Sequence, residues 1–278
     1  MDFKTKESSV SELIDIGAAL TDSKCCTNGI PYVIVPNGYK VEDIERLLDS
    51  PMRKRGNIII TNAAGFIDYL QKHSASDVST IYADIDSEKT RCKLLAVIDD
   101  HSAEGPNWRQ HTCIFEPKQA LEWSRWNGSN KLQMNQGDFA AWLEDNLPDI
   151  ASVPGFPTGT EILQMALGFE ANADKKFRSK INLQSGGVQF EYVEDETKDT
   201  RSKMIVFERF TLGIPVFDGS VSAYPVEARL KYREKDGKVV FWYELIRPDR
   251  VFKSAVADEL STIKEGTGLQ IIGGSPGI

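Results

Sequence analysis

The chain has 278 residues, 41% of them hydrophobic and 27% charged, with a formal net charge of −8. That length buries a sizeable core as one large domain or two small ones. The composition is ordinary for a soluble globular protein, and the acidity excludes the chain-wide basic footprint of a nucleic-acid binder, leaving only a local patch open.

The elements follow in chain order. Leu13, Ile14, Ile16, Ala19 and Leu20 give a short amphipathic helix from Ser11. A polar loop, Thr21 to Gly29, leads to a proline-bounded strand, Pro31 to Pro36. Val41, Ile44, Leu47 and Leu48 predict a helix ending before Pro51. Arg53, Lys54 and Arg55 form the most basic local run, a candidate contact for phosphate or an acidic partner; a solvated loop is the plainer reading. Asn57 to Thr61 is a short apolar strand, and Asn62 caps the helix that holds Phe66, Ile67 and Leu70.

Three strands follow: Thr80 to Ile85, Cys92 to Ile98 and His111 to Phe115. The first two form a hairpin through Ser87-Glu88-Lys89, and the loop Ser102 to Arg109 joins the second to the third. Helices are predicted from Pro117 through Trp126, from Asn135 through Leu147, and from Glu161 to Ala173. Between the last two, the Pro- and Gly-rich segment Ala151 to Gly159 is the best boundary, dividing the chain into 1–150 and 151–278; one continuous domain is the other arrangement.

Ile181 to Leu183 and Val188 to Val193 read as a hairpin across Ser185-Gly186-Gly187, followed by a polar turn from Glu194 to Ser202 and further strands from Met204 to Leu212 and Ile214 to Phe217. Val226, Ala228, Leu230 and Tyr232 alternate with Glu227, Arg229, Lys231 and Arg233, a strand with one buried face. Asp236-Gly237 suits a tight turn into the strand Val239 to Tyr243. Pro248 interrupts, Asp249 caps a helix, and Gly266 stops it; Leu269 to Ile272 is a last short strand. The short turns imply mostly antiparallel pairing, so the fold class is α+β, with mixed, mostly antiparallel sheets and several short helices.

Chemistry is sparsely marked. Asp84 and Asp86 lie at the turn end of the central hairpin and Asp99 and Asp100 at the other, apart by the hairpin's length of about 15–20 Å. The smaller set, Asp99, Asp100, His101 and His111, is the candidate ligand set for a divalent metal ion, against the plainer reading of acidic strand ends and a loop histidine. His111 and Cys113 share a strand face, but a buried thiol beside an edge histidine is the ordinary meaning of that pair. Trp108, Trp123, Trp126 and Trp142, with Arg109 and Arg125 interleaved, suggest base stacking or, more simply, core and subunit contacts. Nucleophile elbow, phosphate loop and dinucleotide fingerprint motifs do not occur. The four cysteines, Cys25, Cys26, Cys92 and Cys113, form no CxxC pair and no zinc spacing. With no apolar signal region and no run approaching a membrane span, they fit a reducing cytoplasm.

The run Phe210 to Phe217, then Val226 to Arg233, Asp236-Gly237-Lys238-Val239, Phe241 to Pro248 and Thr267-Gly268-Leu269, resembles the C-terminal half of the phage and prophage proteins of unknown function represented by YfdQ. The resemblance covers roughly Phe207 to Pro276. It implies a phage-encoded protein made in the bacterial cytoplasm, in gene blocks that handle DNA metabolism, and it carries no catalytic residue. The expectation is therefore a non-enzymatic, cofactor-free accessory protein that assembles into a homo-oligomer and acts with a phage or host protein in phage DNA metabolism or against host defence. The alternative is a metal-dependent hydrolase or nuclease acting on nucleotides or nucleic acid through Asp99, Asp100, His101 and His111.

Overall fold

The computed structural model describes residues 7–168 apart from 22–23, 26–30, 33, 36, 39 and 42–43, then 178–180, 187–193, and 201–277 apart from 236–237. The expected helical residues 169–173, the strand at 181–183, and the turns at 185–186, 194–200 and 236–237 lie outside these. The chain divides into two compact units, 1–54 and 55–278.

In the first unit, helix α1 (Glu7–Thr21) covers the predicted amphipathic helix, and strands β1 (Lys24–Cys25) and β2 (Pro31–Tyr32) pair antiparallel. The helix expected over Val41 to Leu48 is only a 3-10 turn at Glu45–Leu47. Val41, Ile44, Leu47 and Leu48 are all exposed, so among the described residues the apolar stripe is left unburied and the helix lacks its main support.

The second unit follows the predicted order closely. It comprises β3 (Gly56–Ile60), α2 (Ala63–His73), β4 (Thr80–Asp86), β5 (Arg91–Val97), β6 (His111–Phe115), α3 (Leu121–Gly128), β7 (Met134–Asn135), α4 (Gln136–Asp145), α5 (Gly159–Gly168), β8 (Arg178–Lys180), β9 (Gly187–Val193), β10 (Arg201–Phe207), β11 (Arg209–Ile214), β12 (Tyr224–Lys235), β13 (Lys238–Leu245), α6 (Pro248–Thr267) and β14 (Gln270–Gly273). Asn62 caps α2 as expected and Asn135 caps α4, their side-chain oxygens accepting from Gly65 N at 2.7 Å and Asp138 N at 2.9 Å.

A five-stranded sheet runs β14-β4-β5-β6-β3, and a four-stranded sheet runs β11-β12-β13-β7. β4, β5 and β6 pair antiparallel, whereas the flanking strands β14 and β3 pair parallel with β4 and β6. The second sheet is antiparallel throughout. β8, β9 and β10 form a further antiparallel sheet. The fold is α+β. Phe66, Leu94 and Phe252, with Trp126, Phe139 and Phe241, belong to one cluster of buried side chains that includes residues before and after 151–159.

Helix boundaries differ from the sequence reading, most clearly at α3 and α6. α3 opens at Leu121 rather than Pro117, because Gln119 bridges to Phe217 and Ala120 N–H donates to Val216 O. Pro248 occupies the first turn of α6, where its missing N–H is harmless, and Gly268 at φ 69° ends the helix, not Gly266. Gly266 lies inside α6 because a Cβ there would sit 2.9 Å from Ile67 Cγ2 on α2. Gly266→Ala therefore lowers stability by about 1 kcal/mol, although the same change in an open helix raises it. Denaturant melts of Gly266→Ala alone and combined with Ile67→Ala check this: the second change, costly in the wild type, is milder in the Gly266→Ala background.

Candidate functional site

Every residue of the expected metal set lies in or beside the loop between β5 and β6. Asp99 accepts at both oxygens from the backbone of the next strand, Oδ2 from Gln110 N and Oδ1 from His111 N, each at 2.9 Å. Asp100, only 4% exposed, accepts from the Tyr82 hydroxyl at 2.8 Å and from His101 N at 2.9 Å. Arg109 Nε lies 3.0 Å from Asp100 Oδ1, a close ion pair without good hydrogen-bond alignment. Arg109 adopts φ 56°, a conformation unusual for a residue with a side chain, and this turns it back onto the loop. His101 Nδ1 accepts from Asn107 N at 2.9 Å, and Asn107 Nδ2 donates to Asp100 O at 2.6 Å.

His111 shares its backbone with this network, but its ring belongs elsewhere. Its Nε2 is 2.7 Å from the Tyr69 hydroxyl of α2, and its ring is 5.5 Å from that of His73. The structure thus brings Asp99 to the backbone of His111 and Asp100 to that of His101. Among the described residues, no group of three or more His, Cys, Asp and Glu side chains is placed to hold a metal ion. What the arrangement does chemically is fix a loop: Asp99 accepts from two backbone N–H groups and Asp100 from one and from the Tyr82 hydroxyl.

The electrostatics agree. Burial works against the charged form of Asp100, but the Tyr82 hydroxyl, the His101 N–H and the Arg109 guanidinium outweigh it and hold the carboxyl below its ordinary value. The same hydrogen bond to Asp100, with burial, raises Tyr82. Burial pushes the Cys113 thiol up to about 11 and, helped by Glu259 and Asp84, the Cys92 thiol up to about 12, so both remain protonated near neutral pH. Burial thus favours the protonated Cys113 thiol, and the His111 ring is engaged by the Tyr69 hydroxyl.

The tryptophan set divides. Trp123 and Trp126 are fully buried, and the Trp142 ring packs against Trp126 at 5.7 Å and Tyr243 at 6.5 Å. Trp108 is 69% exposed. Arg125 Nη1 donates to Asn146 Oδ1 at 2.8 Å. In the basic run, Arg53 is half-buried while Lys54 and Arg55 are exposed, and the boundary between the compact units falls between Lys54 and Arg55.

The other feature that invites a partner is β3. It is an outer strand of the five-stranded sheet, its sequence is Gly-Asn-Ile-Ile-Ile, and Ile59 is 61% exposed. Gly56 N–H donates to Gln110 O and Ile60 O accepts from Glu116 N, so residues 56, 58 and 60 address β6. By alternation, the backbone groups of Asn57 and Ile59 point away from the sheet. The strand contains no proline or charged residue, the devices that ordinarily block an open edge. Sequence reasoning found this strand but not its edge position, since its parallel pairing with β6 joins segments far apart in the chain.

A family model described as Uncharacterized conserved protein (DUF2303) matches residues 6–276. No curated protein and no solved structure matches the chain.

Proposed function

The chain belongs to this family of uncharacterized conserved proteins, and from that premise we propose that it is a non-enzymatic accessory protein that assembles with itself. One observation carries the reading: the apolar edge of β3, which no other described strand pairs with. Two copies related by a two-fold axis at Ile58 place Asn57 of one opposite Ile59 of the other. These are the residues whose N–H and C=O groups point outward, so each pair exchanges both hydrogen bonds, and the two Ile58 side chains meet at the close, non-hydrogen-bonded position. Antiparallel pairing also sends the Arg55 residues to opposite ends of the joint, away from each other.

The likeness of Phe207 to Pro276 to phage and prophage proteins supports the setting: a phage-encoded protein in the bacterial cytoplasm, acting with a phage or host partner in DNA metabolism or against host defence. The internal hydrogen bonds of Asp99 and Asp100 favour a structural role for these carboxylates over metal ligation. Among the described residues, no helix is long and apolar enough to cross a membrane.

Light scattering tests the assembly. The wild type is expected at a multiple of the monomer mass, unchanged by EDTA. Ile59→Lys, which puts a charge on the edge while leaving the bonds to β6 intact, is expected at monomer mass with an unchanged circular dichroism spectrum. A wild type that is monomeric at all concentrations overturns the proposal. Calorimetric uptake of Mn²⁺ that disappears in Asp99→Ala would instead support the metal-dependent hydrolase.

A further inference from the structure

The second candidate surface is the outer face of the four-stranded sheet. Along β12, Val226, Ala228 and Leu230 are buried, while Glu227, Arg229, Lys231 and Arg233 are exposed. The register places Arg209 of β11 directly opposite Arg229, and Trp242 of β13 directly opposite Lys231. The Arg233 guanidinium lies 5.8 Å from the centre of the half-buried Trp242 ring, and Arg233 Nη2 donates to Gln133 Oε1 at 2.8 Å. Glu244, opposite Arg229, accepts from Trp242 Nε1 at 3.2 Å, and Glu227 is 3.8 Å from Arg209. Arg229 and Lys231 form no ion pair with a described residue.

Like charges directly opposite on neighbouring strands destabilise a sheet. Here Arg209 faces Arg229 on a surface that also carries Lys231 and Arg233, in a chain whose net charge is −8. A local positive field against an acidic background is suited to a polyanion. The cations along β12 are two residues apart, about 7 Å, a step comparable to that between phosphates of an extended single strand. An aromatic ring set among them supplies a platform for a base. A flat sheet face has no helix or ribbon to enter a duplex groove.

From this arrangement we infer that the outer face of β11, β12 and β13 binds single-stranded nucleic acid, with Arg209, Arg229, Lys231 and Arg233 tracking the phosphates and Trp242 stacking on a base. The inference goes beyond self-assembly and uses a different sheet from the β3 edge.

The test is fluorescence anisotropy with a labelled oligothymidylate of about 20 nucleotides, titrated with full-length protein at several salt concentrations from about 50 mM upward. Binding is expected to weaken steadily with salt. Arg229→Ala/Lys231→Ala/Arg233→Ala is expected to abolish most binding and flatten the logarithmic salt slope by about 0.7 for each contact removed. Trp242→Leu is expected to weaken binding about tenfold with the slope retained. Arg229, Lys231 and Arg233 face solvent and Trp242 is half-buried, so circular dichroism is recorded to check that each variant folds. No binding at about 50 mM salt, undiminished binding by the triple variant, or equal affinity for a duplex of the same length overturns the inference. The titration is repeated on Ile59→Lys. Binding that persists in a monomer separates this surface from assembly, and binding lost with assembly overturns its independence.

Discussion

Trp126→Ala is expected to destabilise the protein by about 3–5 kcal/mol, enough to leave a small domain marginally folded. Trp126 is fully buried at the meeting point of α3, α4 and the four-stranded sheet. Its ring lies 4.9 Å from Tyr243, 5.7 Å from Trp142 and 6.0 Å from Phe210. Truncation leaves a cavity that these rings cannot fill by small movements, because each is held by its own element. Two hydrogen bonds cross the same place: Trp126 Nε1 donates to Asp149 Oδ2 at 2.8 Å, and the Tyr243 hydroxyl donates to Trp126 O at 2.7 Å. Trp126→Phe keeps much of the packing while losing the indole donor and part of the ring volume, so its expected loss is smaller, about 1–2 kcal/mol. Urea melts of the two variants separate the terms, and equal losses would show that the hydrogen bond dominates.

Asp100→Ala is the second large effect, at about 2–4 kcal/mol. The change removes the acceptor of the Tyr82 hydroxyl and of His101 N–H, and it leaves the Arg109 guanidinium, only 16% exposed, without its counter-charge. The pH dependence follows from the lowered carboxyl. A group whose folded value lies below its unfolded value binds fewer protons when folded. Its stabilisation is therefore full above the unfolded value of about 3.9 and is lost as pH falls through the folded one. The stability gap between wild type and Asp100→Asn should be constant from neutral pH to about pH 5 and shrink in stronger acid. Chemical denaturation at about pH 7, 5 and 3 measures it. A gap that widens in acid would mean that Asp100 is not the charged partner of Arg109.

Period-two alternation and side-chain caps made much of this fold legible beforehand. The alternation over Val226 to Arg233 and the capping residue Asn62 act through neighbours close in sequence, so local chemistry identifies them. The parallel pairings of β3 with β6 and β14 with β4 left no local trace, and with them went the recognition that β3 is an edge. The loop after β5 shows the same limit in its chemistry. Asp99, Asp100, His101 and His111 are recognisable as ligand types, but their partners are backbone N–H groups, a tyrosine two strands' length away in sequence, and an arginine turned by a positive φ. The basic sheet face lay between these cases. Arg229, Lys231 and Arg233 were visible as a polar alternation, but only the register sets them beside Arg209 and Trp242.

The parallel seam between β14 and β4 also constrains how the protein comes to be made. Ile81 of β4 pairs with Ile271 of β14, so the ribosome releases β4, β5 and β6 long before the strand that completes their sheet. During that interval, the outer backbone groups of β4, from Thr80 to Ala83, are open to any extended segment nearby. α6, whose Gly266 seats against Ile67 of α2, must arrive together with β14 to close the gap. The nascent chain therefore carries an open margin on β4 until residues 248–273 are made, whereas among the described strands none comes to pair with the outer side of β3.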